Sequence, residues 1–234
     1  MKNLFWILFL FLHFSIVADS TPIQTIHYSY GGNFKGYLNI PEKAGRMPVI
    51  IYNYDHFLDR VGEDLAKKKG YDMEAFIRVF ESWGYITLIP LERYRKINAI
   101  KGAIHYARNL PQARSEEIHL VGLTEGGFLS LLLLNEVPDV TSISILVPEP
   151  IHYTGYFSLP NLTRGIDHIQ TPILMIVGER EKKWRVQLSQ VLHQLFKQHH
   201  KKLTYKGYPV ERYWFWNPEH GFMDDIHHFV ERKH

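Results

Sequence analysis

Apolar positions along the chain change their spacing several times, and each change marks an element. Ile26 to Tyr30 and Lys35 to Ile40 alternate polar with apolar residues around Gly31-Gly32, which predicts a hairpin. Met47 to Asn53 (MPVIIYN) is a short apolar run, the pattern of a strand buried on both faces. Met73, Phe76, Ile77, Phe80 and Trp83 recur at helical spacing, and Gly84 stops the helix they predict. Tyr85 to Pro90 reads as the next strand, and Ile97 to Leu110 as the next helix. Ile118 to Leu123 is a buried strand, followed by a helix from Gly127 to Glu136. Strands at Val140 to Val147, Ile173 to Val177 and Leu203 to Tyr208 follow, with helices at Trp184 to His199 and Phe222 to Arg232. Strands alternating with helices predict an α/β fold, a mainly parallel sheet of about eight strands covered on both faces. Ligands on such sheets bind at the carboxyl ends of the strands.

Composition narrows the possibilities. A chain of 234 residues, 45% hydrophobic and 22% charged, supports one globular domain. Its net charge of +3 is too small to suggest nucleic-acid binding. Absence of cysteine excludes disulfides, thiolate metal sites and a cysteine nucleophile. The fourteen histidines form no H-E-x-x-H, so no metal is expected. Walker and G-x-G-x-x-G loops are missing, and no cofactor is expected either.

The N-terminus resembles a secretory signal. Lys2 precedes an apolar stretch from Leu4 to Val17, and Ala18-Asp19-Ser20 places small residues at both key positions of a cut before Thr21. Residues 1–20 are therefore expected to be a signal peptide and 21–234 the mature domain, exported to the periplasm or secreted. Membrane association is expected only if the segment stays uncleaved. Asn161-Leu162-Thr163 is a glycosylation sequon, relevant only in a eukaryotic host.

Chemistry concentrates at Gly122-Leu123-Thr124-Glu125-Gly126, between a buried strand and an apolar helix. A turn this tight holds its central residue at positive φ. Glycines at 122 and 126 remove side chains that would collide across it. The central hydroxyl then projects beside a helix N-terminus, where the N–H of Glu125 points at a developing oxyanion. This G-x-T-x-G matches the nucleophile elbow usually written G-x-S-x-G.

On that motif, and from about Ile26 onward, the chain resembles the α/β-hydrolase superfamily, most closely its compact dienelactone-hydrolase and prolyl-oligopeptidase-like branch. The resemblance implies a triad in the order nucleophile, acid, histidine. Its acid follows a strand ending in glycine. Here Gly178-Glu179-Arg180-Glu181 puts Glu181 at that position, with Glu179 and Glu149 as alternatives. Its histidine stands in H-G-F, here His220-Gly221-Phe222. The expected catalytic residues are thus Thr124, Glu181 and His220. The second oxyanion donor falls on Tyr54-Asp55-His56-Phe57, through the backbone N–H of His56 or, as in prolyl-oligopeptidase-like members, the hydroxyl of Tyr54. Asp55 would repel an oxyanion there. Trp214 and Trp216 are candidate pocket walls, with Tyr153, Tyr156 and Phe157 opposite. About twenty-five residues separate the Val140 and Ile173 strands, leaving no room for a large lid. The implied reaction is hydrolysis of a small-molecule ester or amide. A relative that has lost catalysis and binds a ligand is the alternative, because threonine is β-branched and fits positive φ poorly.

Overall fold

A computed structural model describes residues 20–91, 96–136, 139–150 and 158–232. Its centre is an eight-stranded sheet in the order β1-β2-β4-β3-β5-β6-β7-β8. Strands β1 (Gln24–Ser29) and β2 (Asn33–Asn39) form the expected hairpin, and β2 lies antiparallel to β4 (Ile86–Leu91). From β4 onward, β3 (Met47–Asn53), β5 (Ala113–Leu123), β6 (Ser142–Leu146), β7 (Ile173–Gly178) and β8 (Leu203–Tyr208) run parallel.

Side-chain alternation along the strands sorts the core into two layers. Val49, Ile51, Leu120, Ile143 and Met175 face helices α4 (Lys96–Arg108), α5 (Glu125–Leu133), α6 (Leu159–Gly165) and α7 (Lys183–Gln198). Ile50, Tyr52, Val121, Leu123 and Ile176 face α3 (Met73–Ser82) and α8 (Phe222–Val230). The apolar stripe of Met73, Phe76, Ile77 and Phe80 is buried as its spacing requires, and Asp72 caps α3 by accepting from the Glu74 N–H at 3.0 Å.

Several features, the short helix α6 among them, depart from the sequence pattern. Strand β5 starts at Ala113, five residues before the apolar run; Ala113 pairs with Met47, and a register shift separates that pair from Val49 and Ile118. Two short helices, α1 (Phe57–Val61) and α2 (Glu63–Lys68), and the 3-10 turn Arg212–Trp216 carry too little periodicity to be read from spacing. No helix among the described residues is long and apolar enough to cross a membrane.

Candidate active site

Every predicted site residue that the structure describes lies at or beyond the carboxyl end of a parallel strand. Tyr54 and His56 follow β3, Thr124 follows β5, Glu149 follows β6, Glu181 follows β7, and His220 follows β8. Tyr153, Tyr156 and Phe157 fall outside the described residues.

Thr124 occupies the elbow at φ 51°, ψ −111°. Its backbone is pinned on both sides. The N–H donates to Leu146 O at 2.8 Å, while the carbonyl accepts from the N–H groups of Phe128 and Glu149, each at 3.1 Å. A strained conformation persists only when the surroundings over-determine it in this way. Close approach explains the glycines. A Cβ on Gly122 would stand 2.6 Å from the Cα of Gly127, and one on Gly126 only 2.1 Å from Asn53 O. Both obstacles are backbone and cannot swing aside. Gly126→Ala is therefore expected to cost about 3 kcal/mol, read as a lowered urea midpoint with an unchanged slope.

The hydroxyl of Thr124 behaves unlike that of an ordinary helix cap. Threonine at this position normally accepts an N–H from the first helical turn. Thr124 makes no such bond, is 1% exposed, and its Oγ1 has no hydrogen-bond partner among the described residues. Leaving it so costs about 1–3 kcal/mol.

His220 Nδ1 lies 2.8 Å from the carbonyl oxygen of Trp214. A carbonyl only accepts, so Nδ1 carries the proton and the neutral ring has its lone pair on Nε2, the tautomer a general base requires. The imidazole also stacks on the Trp214 indole, with centroids 4.3 Å apart and planes 12° from parallel. No hydrogen bond joins Nε2 to Thr124 in this structure.

The expected pairing of Glu181 with His220 is not made. Glu181 is nearly buried and accepts a short hydrogen bond from the Arg212 N–H, together with one from Arg185 Nη1 at 3.3 Å. Arg185 also forks onto Glu149, at 2.9 Å through Nε and 3.4 Å through Nη2. The physical reason is proximity. Gly178 lets the carbonyl of Val210 pack against the end of β7, since a Cβ there would meet it at 2.6 Å. That brings the N–H of Arg212 to the carboxylate, while His220 is held by the Trp214 carbonyl. Of the alternative acids, Glu149 is held by Arg185 and Arg212, and Glu179 lies over Gly207 of β8.

Glu125 and His56, both expected on the oxyanion side, are neighbours in space. The N–H of Glu125 opens α5, and the Glu125 carboxylate lies 3.4 Å from His56 Nδ1, so these two residues meet beside the elbow. Tyr54 gives its one hydroxyl proton to Asp59 at 2.7 Å. Burial, then the Asp59 charge, push its pKa up, so it stays protonated. Asp55 is 4% exposed, and its two oxygens are occupied by the Phe57 N–H at 2.8 Å and the Trp216 indole N–H at 3.2 Å. Trp216 is not an open pocket wall. It is 5% exposed and stacks on Phe57 and Tyr71, with centroids 4.8 and 5.5 Å away. Trp214 is half-buried and supports His220.

Arg185, Arg212 and the Trp214 carbonyl were not foreseen from the sequence. The spacing of Glu181 and Arg185, four apart, gives a faint signal. Backbone acceptors give none.

A doubly covered, largely parallel sheet with a strained elbow at its carboxyl edge defines an α/β hydrolase. The chain belongs to the dienelactone hydrolase family, whose model matches residues 86–233, and it is therefore a hydrolase. Among solved structures it is similar to DcsB in complex with its substrate analogue, at 13% identity and a TM-score of 0.65, covering 91% of this chain and 99% of that one. A fungal esterase from Rhizomucor miehei shares 10% identity at a TM-score of 0.70, over 90% of this chain and 83% of its own. A thermostable esterase from Pseudomonas putida shares 9% at 0.65, over 91% and 81%. No curated protein sequence matches the chain.

Proposed function

We propose that the protein hydrolyses a small-molecule carboxylic ester or amide by acyl transfer to Thr124, with His220 as general base and acid. The observation that carries this is the doubly costly state of one residue. Thr124 bears backbone strain of about 1–3 kcal/mol and a buried hydroxyl with no partner among the described residues, and both costs fall on the residue that would attack. Structural demands alone favour a capping serine or aspartate, or glycine at positive φ.

In the mechanism, Oγ1 attacks the acyl carbon as its proton passes to Nε2 of His220, once substrate brings the two within reach. The N–H groups of Glu125 and His56 receive the oxyanion. Collapse expels the alcohol or amine, which takes the proton back from His220, and water repeats the cycle to release the acid. The Trp214 carbonyl holds the imidazole tautomer. Glu181 contributes through Arg212, as a positioning residue.

A ligand-binding protein without turnover is the second reading, favoured by the missing bond between Thr124 and His220. Purified protein with p-nitrophenyl acetate and butyrate separates the two. Thr124→Ala is expected to lower kcat at least about 100-fold. Equal rates in wild type and Thr124→Ala would exclude acyl transfer at Thr124.

We also propose that the protein is exported and that a signal peptidase removes residues 1–20. The charged start, apolar stretch and small residues before Thr21 support this.

A further inference from the structure

Thr21 is held more firmly than any chain entrance requires. Its N–H donates to Glu81 at 2.8 Å, and its hydroxyl makes a short bond to the same carboxylate. Its carbonyl accepts from Arg78 Nη1 at 2.7 Å, and the same nitrogen braces the other oxygen of Glu81 at 2.8 Å. From the sheet side, Asn39 gives Nδ2 to the Thr21 hydroxyl at 2.7 Å and to its carbonyl at 3.3 Å. Every polar atom of one residue is therefore bound, by partners from both α3 and β2. Immediately before it, Ser20 is exposed.

Two details distinguish this cluster from a simple tie-down. Glu81 presents a carboxylate to a backbone nitrogen, although a neutral amide offers only one hydrogen and no charge. Burial works to raise the Glu81 carboxyl, but hydrogen bonds from Thr21 and Arg78 outweigh it and hold the group below its ordinary value. It is thus ionised at neutral pH. Asn39 is fully buried, and its Oδ1 has no donor among the described residues. As an amide, the Thr21 nitrogen has a single hydrogen, and it is spent on Glu81. An α-ammonium brings two further hydrogens and a full positive charge.

We propose that the Glu81 carboxylate is the receptor for the α-ammonium of Thr21, created when the chain is cleaved after Ser20, while Arg78 and Asn39 hold the carbonyl and hydroxyl of the same residue in register. The processed terminus then locks the end of β2 to α3, and mature protein is more stable than any form that retains residue 20. Cleavage is hydrolysis of the Ser20–Thr21 peptide bond, with water supplying the hydroxyl of the new carboxyl group and a hydrogen to the new amine. This rests on the export reading, and not on the catalytic one.

The test compares two recombinant chains, one starting at a free Thr21 and one keeping Ser20 as its first residue. The Thr21 chain is expected to melt about 2–4 °C higher, the shift of a modest ion pair in a domain of this size. In a Glu81→Gln background the difference between the two chains should vanish, whatever that substitution does to both. Acetylating the Thr21 amine should likewise remove the advantage. Equal melting temperatures of the two chains in the wild-type background would overturn the capture. N-terminal sequencing of protein exported by its host addresses the processing step separately. Threonine in the first cycle supports it, and a different first residue overturns it.

Discussion

Thr124→Ser is expected to raise both the hydrolytic rate and the melting temperature of this protein. The expectation follows from comparing three magnitudes. Removing the β-methyl relieves part of a strain of about 1–3 kcal/mol, because positive φ is least tolerable for a β-branched residue. The same change removes a buried methyl worth about 0.8 kcal/mol. Thr124 is 1% exposed, so that loss is nearly complete, and a relief of about 2 kcal/mol, within the range of such strain, outweighs it. A net gain of about 1 kcal/mol corresponds to about 2–4 °C in melting temperature for a domain of this size. On the rate, serine frees χ1, which the methyl restricts, and opens the path of the incoming carbonyl. One tenfold step in kcat requires about 1.4 kcal/mol of barrier. We expect about that much with p-nitrophenyl butyrate. A slower Thr124→Ser enzyme would mean that the methyl helps position the hydroxyl, and a more stable but equally inactive one would favour the ligand-binding alternative.

Glu181→Gln is expected to leave kcat/KM within about tenfold of wild type, whereas Glu181→Ala loses both activity and stability. If Glu181 were the acid that orients His220, the amide would hold the wrong tautomer and the loss would be about 10,000-fold. Its observed partners give a different result. A glutamine carbonyl still accepts the Arg212 N–H, so the start of the Arg212–Trp216 turn stays in place and Trp214 keeps its carbonyl on His220 Nδ1. Alanine removes that acceptor and leaves a partly buried N–H unsatisfied, at a cost of about 1 kcal/mol. Arg185 retains Glu149, which limits the damage. Nitrogen chemical shifts of the His220 imidazole supply a readout that does not need activity. They should report Nδ1–H in wild type and in Glu181→Gln alike. A loss near 10,000-fold in Glu181→Gln, or a change of tautomer there, would return Glu181 to the place the family pattern gives it.

Much of the molecule was legible beforehand for a simple reason. Side chains buried on both faces of a parallel strand must be apolar, and helices that cover them must carry a stripe. Met47 to Asn53, Ile118 to Leu123 and Met73 to Trp83 therefore declared themselves. Elements that depend on pairing or capping did not. The early start of β5 depends on the pairing of Ala113 with Met47 across a register shift, which no run of apolar residues announces.

At the site, the sequence alone determined the elbow. Glycines at 122 and 126 have no substitute where backbone meets backbone, and that constraint is local enough to be written in five residues. It also determined that His220 and Glu181 follow β8 and β7, since order along the chain fixes position along the sheet edge. Only the tertiary structure decided which groups touch. Glu181 is captured by Arg212 because Gly178 admits Val210 close to the end of β7, and His220 finds a main-chain oxygen six residues back. A hydrogen bond forms with whichever partner packing brings within about 3 Å. Carbonyl oxygens are the same in every residue, so no spacing of side-chain types announces them.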